Sequence, residues 1–123
     1  MLTGSCNCGA VSFTVAHTER CSACHCGQCR KQSGHHWASG LARDSDVAIT
    51  GPVQWYASSD TAQRGFCGTC GCFLFWKMDG EPKISFSLGT IDGPTGLSLD
   101  RHIFTADKGD YYDIADNIPQ RET

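Results

Sequence analysis

The sequence lacks long apolar runs, an excess of basic charge and repeats. No segment reaches about 18 consecutive apolar residues, so we predict no membrane span. Residues 1–5 show neither the basic start nor the apolar stretch of a secretory signal, and we expect a cytoplasmic protein. The net charge of −3 does not suggest nucleic-acid binding. Linkers and low-complexity stretches are also missing, so residues 1–123 are predicted to form one domain.

Sustained helical periodicity is scarce as well, because no amphipathic stripe continues beyond about a dozen residues. Period-two alternation dominates, and the fourteen glycines include turn pairs such as Gly51-Pro52 and Asp79-Gly80. We therefore predict a mainly β fold of short antiparallel strands, with helical turns only at residues 27–32 and 111–116. The predicted strands are residues 10–16, 36–42, 47–51, 54–57, 63–66, 72–77, 84–88 and 102–104.

Cysteine, by contrast, is abundant. There are nine cysteines, and an odd number cannot all be paired in disulfides. In a reducing compartment, clustered cysteines indicate a metal or catalytic site before they indicate disulfides. They fall into three groups: Cys6 and Cys8; Cys21, Cys24, Cys26 and Cys29; and Cys67, Cys70 and Cys72.

The first and third groups predict a four-thiolate metal site. If residues 6–8 are extended, Cys6 and Cys8 face the same way, because side chains two apart share one face of a strand. Glycines around Cys67 and Cys70 permit a tight turn that presents two more sulfurs. Four thiolates are typical of structural zinc, which would tie the first strand to the middle of the chain. For Cys67 and Cys70 alone, a redox pair or a chance turn is the alternative.

The middle group predicts a second site with three sulfurs. Cys24, Cys26 and Cys29 lie within six residues, and three protein ligands leave a fourth position open for substrate. Zn²⁺ with three thiolates has a net charge of about −1, which disfavours activation of water and hydrolysis. Such an ion suits an incoming sulfur, so the expected substrate is a thiol. Cys21 could instead close the site as a fourth ligand, whereas Cys72 is expected to be an ordinary buried residue.

Five motifs are spread over nearly the whole chain: GSCNCG at residues 4–9, CHCGQCRKQSG at 24–34, RGFCGTCG at 64–71, GTID at 89–92 and HIF at 102–104. In this order they resemble the glutathione-dependent formaldehyde-activating enzyme family. The resemblance implies a β-tent fold with two zinc ions, one structural and one catalytic. It implies structural ligands at Cys6, Cys8, Cys67 and Cys70, and catalytic ligands at Cys24, Cys26 and Cys29.

The resemblance also implies an activity, the condensation of glutathione with formaldehyde to S-hydroxymethylglutathione, classed as a carbon–sulfur lyase for its reverse direction. The partners would then be a small-molecule thiol and an aldehyde. The open zinc would hold the thiol as its thiolate against the aldehyde, and a nearby histidine or water would pass a proton to the new hydroxyl oxygen. Candidates for binding the thiol's carboxylates are Arg30, Lys31, Arg43 and Arg64.

Three histidines lie in or near the middle cysteine group. His25 lies between two predicted ligands and is expected to face away from the metal, with a role as proton carrier as the alternative. His35 and His36 are candidates for a fourth ligand or an acid-base group, with ordinary strand positions as the alternative. Two interpretations of the whole chain also stay open. It could be a non-catalytic zinc module that binds a protein or a thiol adduct, or a rubredoxin-like iron electron carrier, which would be coloured.

Overall fold

Ten short strands and one helix build the fold, and the computed structural model describes all residues, 1–123. The strands are β1 (Leu2–Ser5), β2 (Ser12–Val15), β3 (Arg20–Cys24), β4 (Trp37–Arg43), β5 (Val47–Thr50), β6 (Val53–Ala57), β7 (Ala62–Cys67), β8 (Phe73–Met78), β9 (Lys83–Ser87) and β10 (Arg101–Ile103). Helix α1 covers Gly27–Ser33, and single 3-10 turns cover Asp44–Asp46, Leu88–Thr90 and Thr105–Asp107. None of these helices has the length and apolar character needed to cross a bilayer.

The strands form two sheets. Strands β1, β2 and β5 make a three-stranded antiparallel sheet in the order β1-β2-β5. The other seven strands have the order β10-β3-β4-β9-β8-β7-β6. Every pairing in the larger sheet is antiparallel except that of β10, which runs parallel to β3. The mainly β fold predicted from the sequence is therefore confirmed.

The main hydrophobic core holds the two sheets together. Phe13 of β2 meets Phe75 of β8 edge-on, with ring centroids 5.1 Å apart, and Phe86 of β9 lies 6.1 Å from Phe13. All three rings are buried. Phe86 also fills the space above Gly40 of β4, where a Cβ would lie only 2.7 Å from Cε1 of that ring. A larger residue at position 40 would thus displace the ring that joins the sheets.

The eight predicted strands each overlap an observed strand, and α1 matches the predicted turn at 27–32. Strands β1 and β3 are additions that the sequence analysis missed. Both are short, and neither contains the run of Val, Ile or aromatic residues that marks a strand. β1 pairs with β2, and β3 pairs with β4 and β10. This pairing with other strands, and not local propensity, therefore makes both segments strands.

Two local predictions are wrong. The helical turn at 111–116 does not form; the segment is irregular, and its side chains hydrogen-bond to distant histidines instead, for example Tyr111 to His35 and Tyr112 to His25. Residues 6–8 are not extended either, because Asn7 and Cys8 form a turn after β1 in which the Gly9 N–H donates to the Cys6 carbonyl over 3.2 Å.

Candidate metal centres and the adjoining pocket

The first cluster of sulfurs comes from two turns. Cys6 and Cys8 lie between β1 and β2, while Cys67 ends β7 and Cys70 lies in the turn before β8. The four Sγ atoms all lie within 4.8 Å of one another. Cys8 Sγ is 3.7 Å from both Cys6 Sγ and Cys67 Sγ. A tetrahedron with zinc–sulfur bonds of about 2.3 Å has edges of about 3.8 Å, so these donors fit a four-coordinate zinc ion.

Backbone N–H groups surround these sulfurs. Val11 N–H donates to Cys6 Sγ over 3.3 Å, and Cys70 N–H donates to Cys67 Sγ over 3.5 Å. The backbone N–H of Cys72 is the first cause that lowers the pKa of Cys70 to about 6. Such donors stabilise thiolates, which are the form that binds a metal ion. Cys6 and Cys67 are also buried members of the main core, so an ion bound here would lie beside the side chains that hold the two sheets together.

The second cluster gathers around the start of α1. Cys24 ends β3, Cys26 caps the helix and Cys29 lies in its first turn. The three Sγ atoms lie within 4.8 Å of one another. Cys26 Sγ accepts the Cys29 N–H over 3.3 Å. The sulfur that lies beside those of Cys24 and Cys29 therefore also caps the N-terminus of α1. The structure therefore brings together the seven cysteines singled out in the sequence as two separate groups.

The three sulfurs of the second cluster compete for negative charge. The pKa of Cys24 is raised far above its ordinary value, first by the sulfur of Cys26 and then by that of Cys29. The pKa of Cys26 is strongly lowered, first because Cys24 hydrogen-bonds to its thiolate. Thiols this close share one negative charge among themselves, whereas a divalent cation allows all three to ionise together. The donor set thus fits a soft divalent ion such as zinc.

A buried cation adjoins this cluster. Arg64 of β7 is only 5% exposed, and its Nη1 donates to Cys29 Sγ over 3.4 Å. Its Nε donates to Gln28 Oε1 over 3.2 Å, and its guanidinium lies 5.5 Å from the Phe73 ring centre. No carboxylate pairs with Arg64. Because a buried charge requires a counter-charge, the thiolates are the anion that Arg64 balances.

Cys21 and Cys72 lie outside both clusters. Cys21 is buried in β3 at an odd separation from Cys24, so the two side chains leave opposite faces of the strand. Cys72 is half-buried beside the main core, and its Sγ donates to the Phe73 carbonyl over 3.8 Å. No fourth cysteine, histidine or carboxylate joins Cys24, Cys26 and Cys29.

A pocket of about 280 Å³ opens beside the second cluster, and all three of its cysteines line it. Strands β3 and β4 each contribute every second residue, which is the pattern of one sheet face. The walls are largely apolar, with side chains of Trp37, Leu41, Trp76, Ile103 and Phe104. Three arginines also line it, namely Arg20, Arg64 and Arg101.

None of the five histidines lines this pocket. His25 is fully buried; its Nδ1 is 2.6 Å from the Tyr112 hydroxyl and its Nε2 is 2.8 Å from His102 Nδ1. His102 Nε2 in turn lies 2.9 Å from an Asp116 carboxylate oxygen. Burial, followed by the neighbouring histidines, lowers the pKa of His25 to about 4. His25 thus connects the segment between Cys24 and Cys26 to Tyr112 and His102, contacts that sequence spacing did not indicate.

The other candidates from the sequence divide in a similar way. His35 and His36 do not join the three cysteines. Of the four cationic residues considered for carboxylate binding, only Arg64 lines the pocket. Arg30 donates to the carbonyl of Asp107 over 3.2 Å, and Arg43 pairs with Glu19 over 3.7 Å. Lys31 is exposed on α1 and does not line the pocket.

Two pocket arginines, Arg20 and Arg101, were missed in the sequence analysis. Arg20 lies two residues from Ser22 and four from Cys24, so a strand at residues 20–24 would have placed all three on one face. Because no strand was predicted at residues 20–24, the sequence analysis did not identify Arg20 as a neighbour of the cysteines.

Comparisons with a family model, with curated proteins and with solved structures each found similar proteins. A family model described as glutathione-dependent formaldehyde-activating enzyme matches residues 1–107. A Schizosaccharomyces pombe protein named as an uncharacterised lyase is 30% identical over 115 residues, which are 91% of this chain and 84% of that protein. A Halomonas elongata protein provisionally named as a glutathione-dependent formaldehyde-activating enzyme is 30% identical over 128 residues, which cover 93% of this chain and 81% of that protein. A crystal structure of a Rhodobacter sphaeroides protein shares the fold, with a TM-score of 0.62 and 23% identity over 96% of this chain and 98% of that one.

Proposed function

Because this chain belongs to the glutathione-dependent formaldehyde-activating enzyme family, we propose that it joins a glutathione-like thiol to a small aldehyde such as formaldehyde. The product is the S-hydroxymethyl adduct, and in the reverse direction the protein acts as a carbon–sulfur lyase. One observation carries the proposal. Three cysteines line a pocket, and no further cysteine, histidine or carboxylate of the chain completes their set, so a substrate sulfur has a place to bind.

Two zinc ions are part of the proposal. Cys6, Cys8, Cys67 and Cys70 hold the structural ion, and Cys24, Cys26 and Cys29 hold the catalytic one. The chemistry that the second ion supplies is to keep a substrate thiol in its thiolate form near neutral pH. The seven ligands must stay reduced to bind the two ions, so the proposed location is a reducing compartment such as the cytoplasm.

The reaction involves no oxidation. The thiolate sulfur attacks the carbonyl carbon, a carbon–sulfur bond forms, and the electron pair of the carbonyl moves to oxygen. That oxygen takes up one proton, equal to the one the thiol released. Since no histidine lines the pocket, pocket water is the proton carrier in this proposal, in place of the histidine alternative.

The residues of the pocket contribute by position and charge. The apolar walls, including Trp37 and Trp76, limit the water around the reacting sulfur. Arg64 balances the negative charge of the three thiolates and directs an N–H at Cys29 Sγ. By withdrawing electron density from one ligand, it makes the site more receptive to an additional anionic sulfur than three thiolates alone would be.

Exchange NMR of glutathione mixed with formaldehyde tests the proposal, because the spontaneous reaction gives a measurable baseline. The zinc-loaded protein is expected to accelerate adduct formation, and Cys26→Ser is expected to abolish the acceleration. Cys72→Ser is the matched control, since Cys72 is half-buried but outside both clusters. No acceleration at stoichiometric protein would contradict catalysis and leave a non-catalytic zinc module.

Metal content gives an independent test. Native mass spectrometry is expected to find two zinc ions in the protein and one in Cys26→Ser. A red protein with visible absorbance and bound iron would instead indicate an electron carrier.

A further inference from the structure

Two arginines without acidic partners line the pocket at a distance from the sulfurs. Arg20 and Arg101 lie on the adjacent strands β3 and β10. Neither belongs to any of the four ion pairs in the structure. Arg101 Nε donates to Ser22 Oγ over 3.2 Å, and its two terminal nitrogens have no hydrogen-bond partner. Donors remain available on this side of the pocket.

The charges around this pair are mainly positive. Burial and the proximity of Arg20 and Arg121 lower the pKa of Arg101, and only Asp100 acts in the opposite direction. The Asp100 carboxylate is already committed to a backbone N–H of β3 over 2.7 Å. Glu19, which adjoins Arg20, is held by two other cations at 2.8 and 3.7 Å. Cations held together without a free counter-charge favour the binding of an anion.

Strand β3 sets the distance from the arginines to the sulfurs. Arg20, Ser22 and Cys24 occupy alternate positions on the face that lines the pocket. An extended strand advances about 3.3 Å per residue, so the Cα of Ser22 is ~7 Å and that of Arg20 ~13 Å from the Cα of Cys24. The bond to Ser22 places Arg101 Nε at the middle of this interval. The two arginine side chains therefore begin at positions well away from Cys24, at the end of the pocket opposite the sulfurs.

We propose that Arg20 and Arg101 form a subsite for a carboxylate of the substrate thiol, and that they select thiols whose acid group lies far from sulfur. The inference rests on the proposed function for the identity of the thiol, but it concerns different residues. In free cysteine the carboxylate is on the same residue as the sulfur and does not reach this subsite. In glutathione a carboxylate lies a full residue further along the chain, an additional ~3.5 Å when extended.

Calorimetric titration of the zinc-loaded protein with S-methylglutathione tests the subsite directly. This probe keeps both carboxylates of glutathione but has no thiol to ionise, so its affinity reports chiefly on the rest of the pocket. Arg20→Gln and Arg101→Gln are each expected to weaken binding about 10-fold, which corresponds to about 1.4 kcal/mol. The diethyl ester of the same probe is expected to bind all variants alike, because its acid groups are blocked.

Lys31→Gln is the matched control. Lys31 is an exposed cation on α1 that belongs to none of the ion pairs and does not line the pocket, so S-methylglutathione should bind this variant like the wild type. Unchanged affinity in the double variant Arg20→Gln/Arg101→Gln would overturn the subsite, as would an equal loss for acid and ester. A wild type that does not bind the acid probe would also overturn it.

The same samples separate the subsite from the proposed function. Binding that depends on the two arginines, together with no acceleration of adduct formation, supports the subsite and contradicts the enzyme. Acceleration with glutathione that is identical in the wild type and the double variant supports the enzyme and overturns the subsite. A KM for glutathione that rises about 10-fold in either variant, with kcat unchanged, supports both.

Discussion

The guanidinium of Arg64 donates from Nη1 to the sulfur of Cys29 over 3.4 Å, and both residues are buried. This contact joins β7 to α1, so it connects the second strand from the β6 edge of the large sheet with the three-cysteine cluster. A buried cation and a set of buried thiolates are each unfavourable alone, because both lose hydration. Held in contact, each supplies the counter-charge of the other.

Substitution of Arg64 by Gln is therefore expected to weaken zinc binding at the second cluster. The three thiolates would keep their negative charge but lose the neighbouring cation. Loss of a residue that hydrogen-bonds to a metal ligand typically lowers the metal affinity by about 10- to 100-fold. Competition with a chelator measures this loss. Arg64→Lys keeps the charge and should lose less, whereas an affinity unchanged in Arg64→Gln would contradict the pairing.

The two clusters are expected to differ in their contribution to stability. Cys67 lies in the main core, and its cluster joins positions as far apart as Cys8 and Cys67, which are 59 residues apart. Closing so long a loop through an ion stabilises the fold, because the unfolded chain has no preformed site. Cys67→Ser should therefore lower the free energy of unfolding by about 3 kcal/mol or more.

Cys26→Ser provides the comparison. Its cluster spans six residues at one helix end and closes no long loop, so this variant should stay folded with one ion fewer. Its loss of unfolding free energy should be small, about 1 kcal/mol or less, because a serine hydroxyl can still accept the Cys29 N–H and cap the helix. Urea unfolding of both variants gives the two values, and similar losses would argue against a division into a structural and a catalytic site.

The sequence predicts the cysteine groups well because their spacing is local. Cys24, Cys26 and Cys29 lie so close along the chain that a turn and the first turn of a helix bring them together. The turn at Cys67 and Cys70 is also local. The meeting of Cys6 and Cys8 with Cys67 and Cys70 follows from the four ligands that structural zinc requires. The extended conformation expected for residues 6–8 is wrong, because these residues form a turn.

What the sequence could not predict depends on contacts between distant segments. Strand β3 exists because it pairs with β4 and β10, and only that pairing places Arg20 in the pocket. The chain from His25 through His102 to Asp116 likewise joins residues 77 and 14 positions apart. Hydrophobic periodicity is a local signal and carries no information about such pairs.

The contact between Asp116 and His102 predicts a pH-dependent contribution to stability. The hydrogen bond from His102 is the first cause that lowers the pKa of Asp116 in the folded protein. The folded state therefore favours the carboxylate, and its stabilisation is fully present above the ordinary Asp pKa of about 4. It is lost as the pH falls through the lower pKa of the folded state. Asp116→Asn lacks this contribution at every pH.

Urea unfolding at a series of pH values checks this expectation. The wild type should exceed Asp116→Asn in stability by a constant amount near neutral pH, and the difference should shrink below about pH 4. Asp113→Asn is the control, since Asp113 is exposed in the same segment and its side chain accepts no hydrogen bond from a histidine. A difference that grows in acid would contradict the direction of the pKa change.

Close approach of Gly40 to Phe86 predicts a large effect from one added methyl group. A Cβ at position 40 would lie 2.7 Å from Cε1 of a fully buried ring, which also contacts Phe13 across the two sheets. Gly40→Ala should therefore lower the free energy of unfolding by about 1–3 kcal/mol, the usual cost of overpacking a core. At Gly89 no atom lies within 4 Å of such a Cβ, so Gly89→Ala should change stability by about 0.5 kcal/mol or less.

A double variant separates this clash from a general intolerance of side chains at position 40. Phe86→Leu shortens the ring side chain, so adding Gly40→Ala to it should be less destabilising than adding it to the wild type. The coupling energy between the two sites should then be about 1 kcal/mol or more, as for residues in direct contact. Additive losses would show that Phe86 does not occupy the space above Gly40, and the packing that joins the two sheets would have to be reassigned.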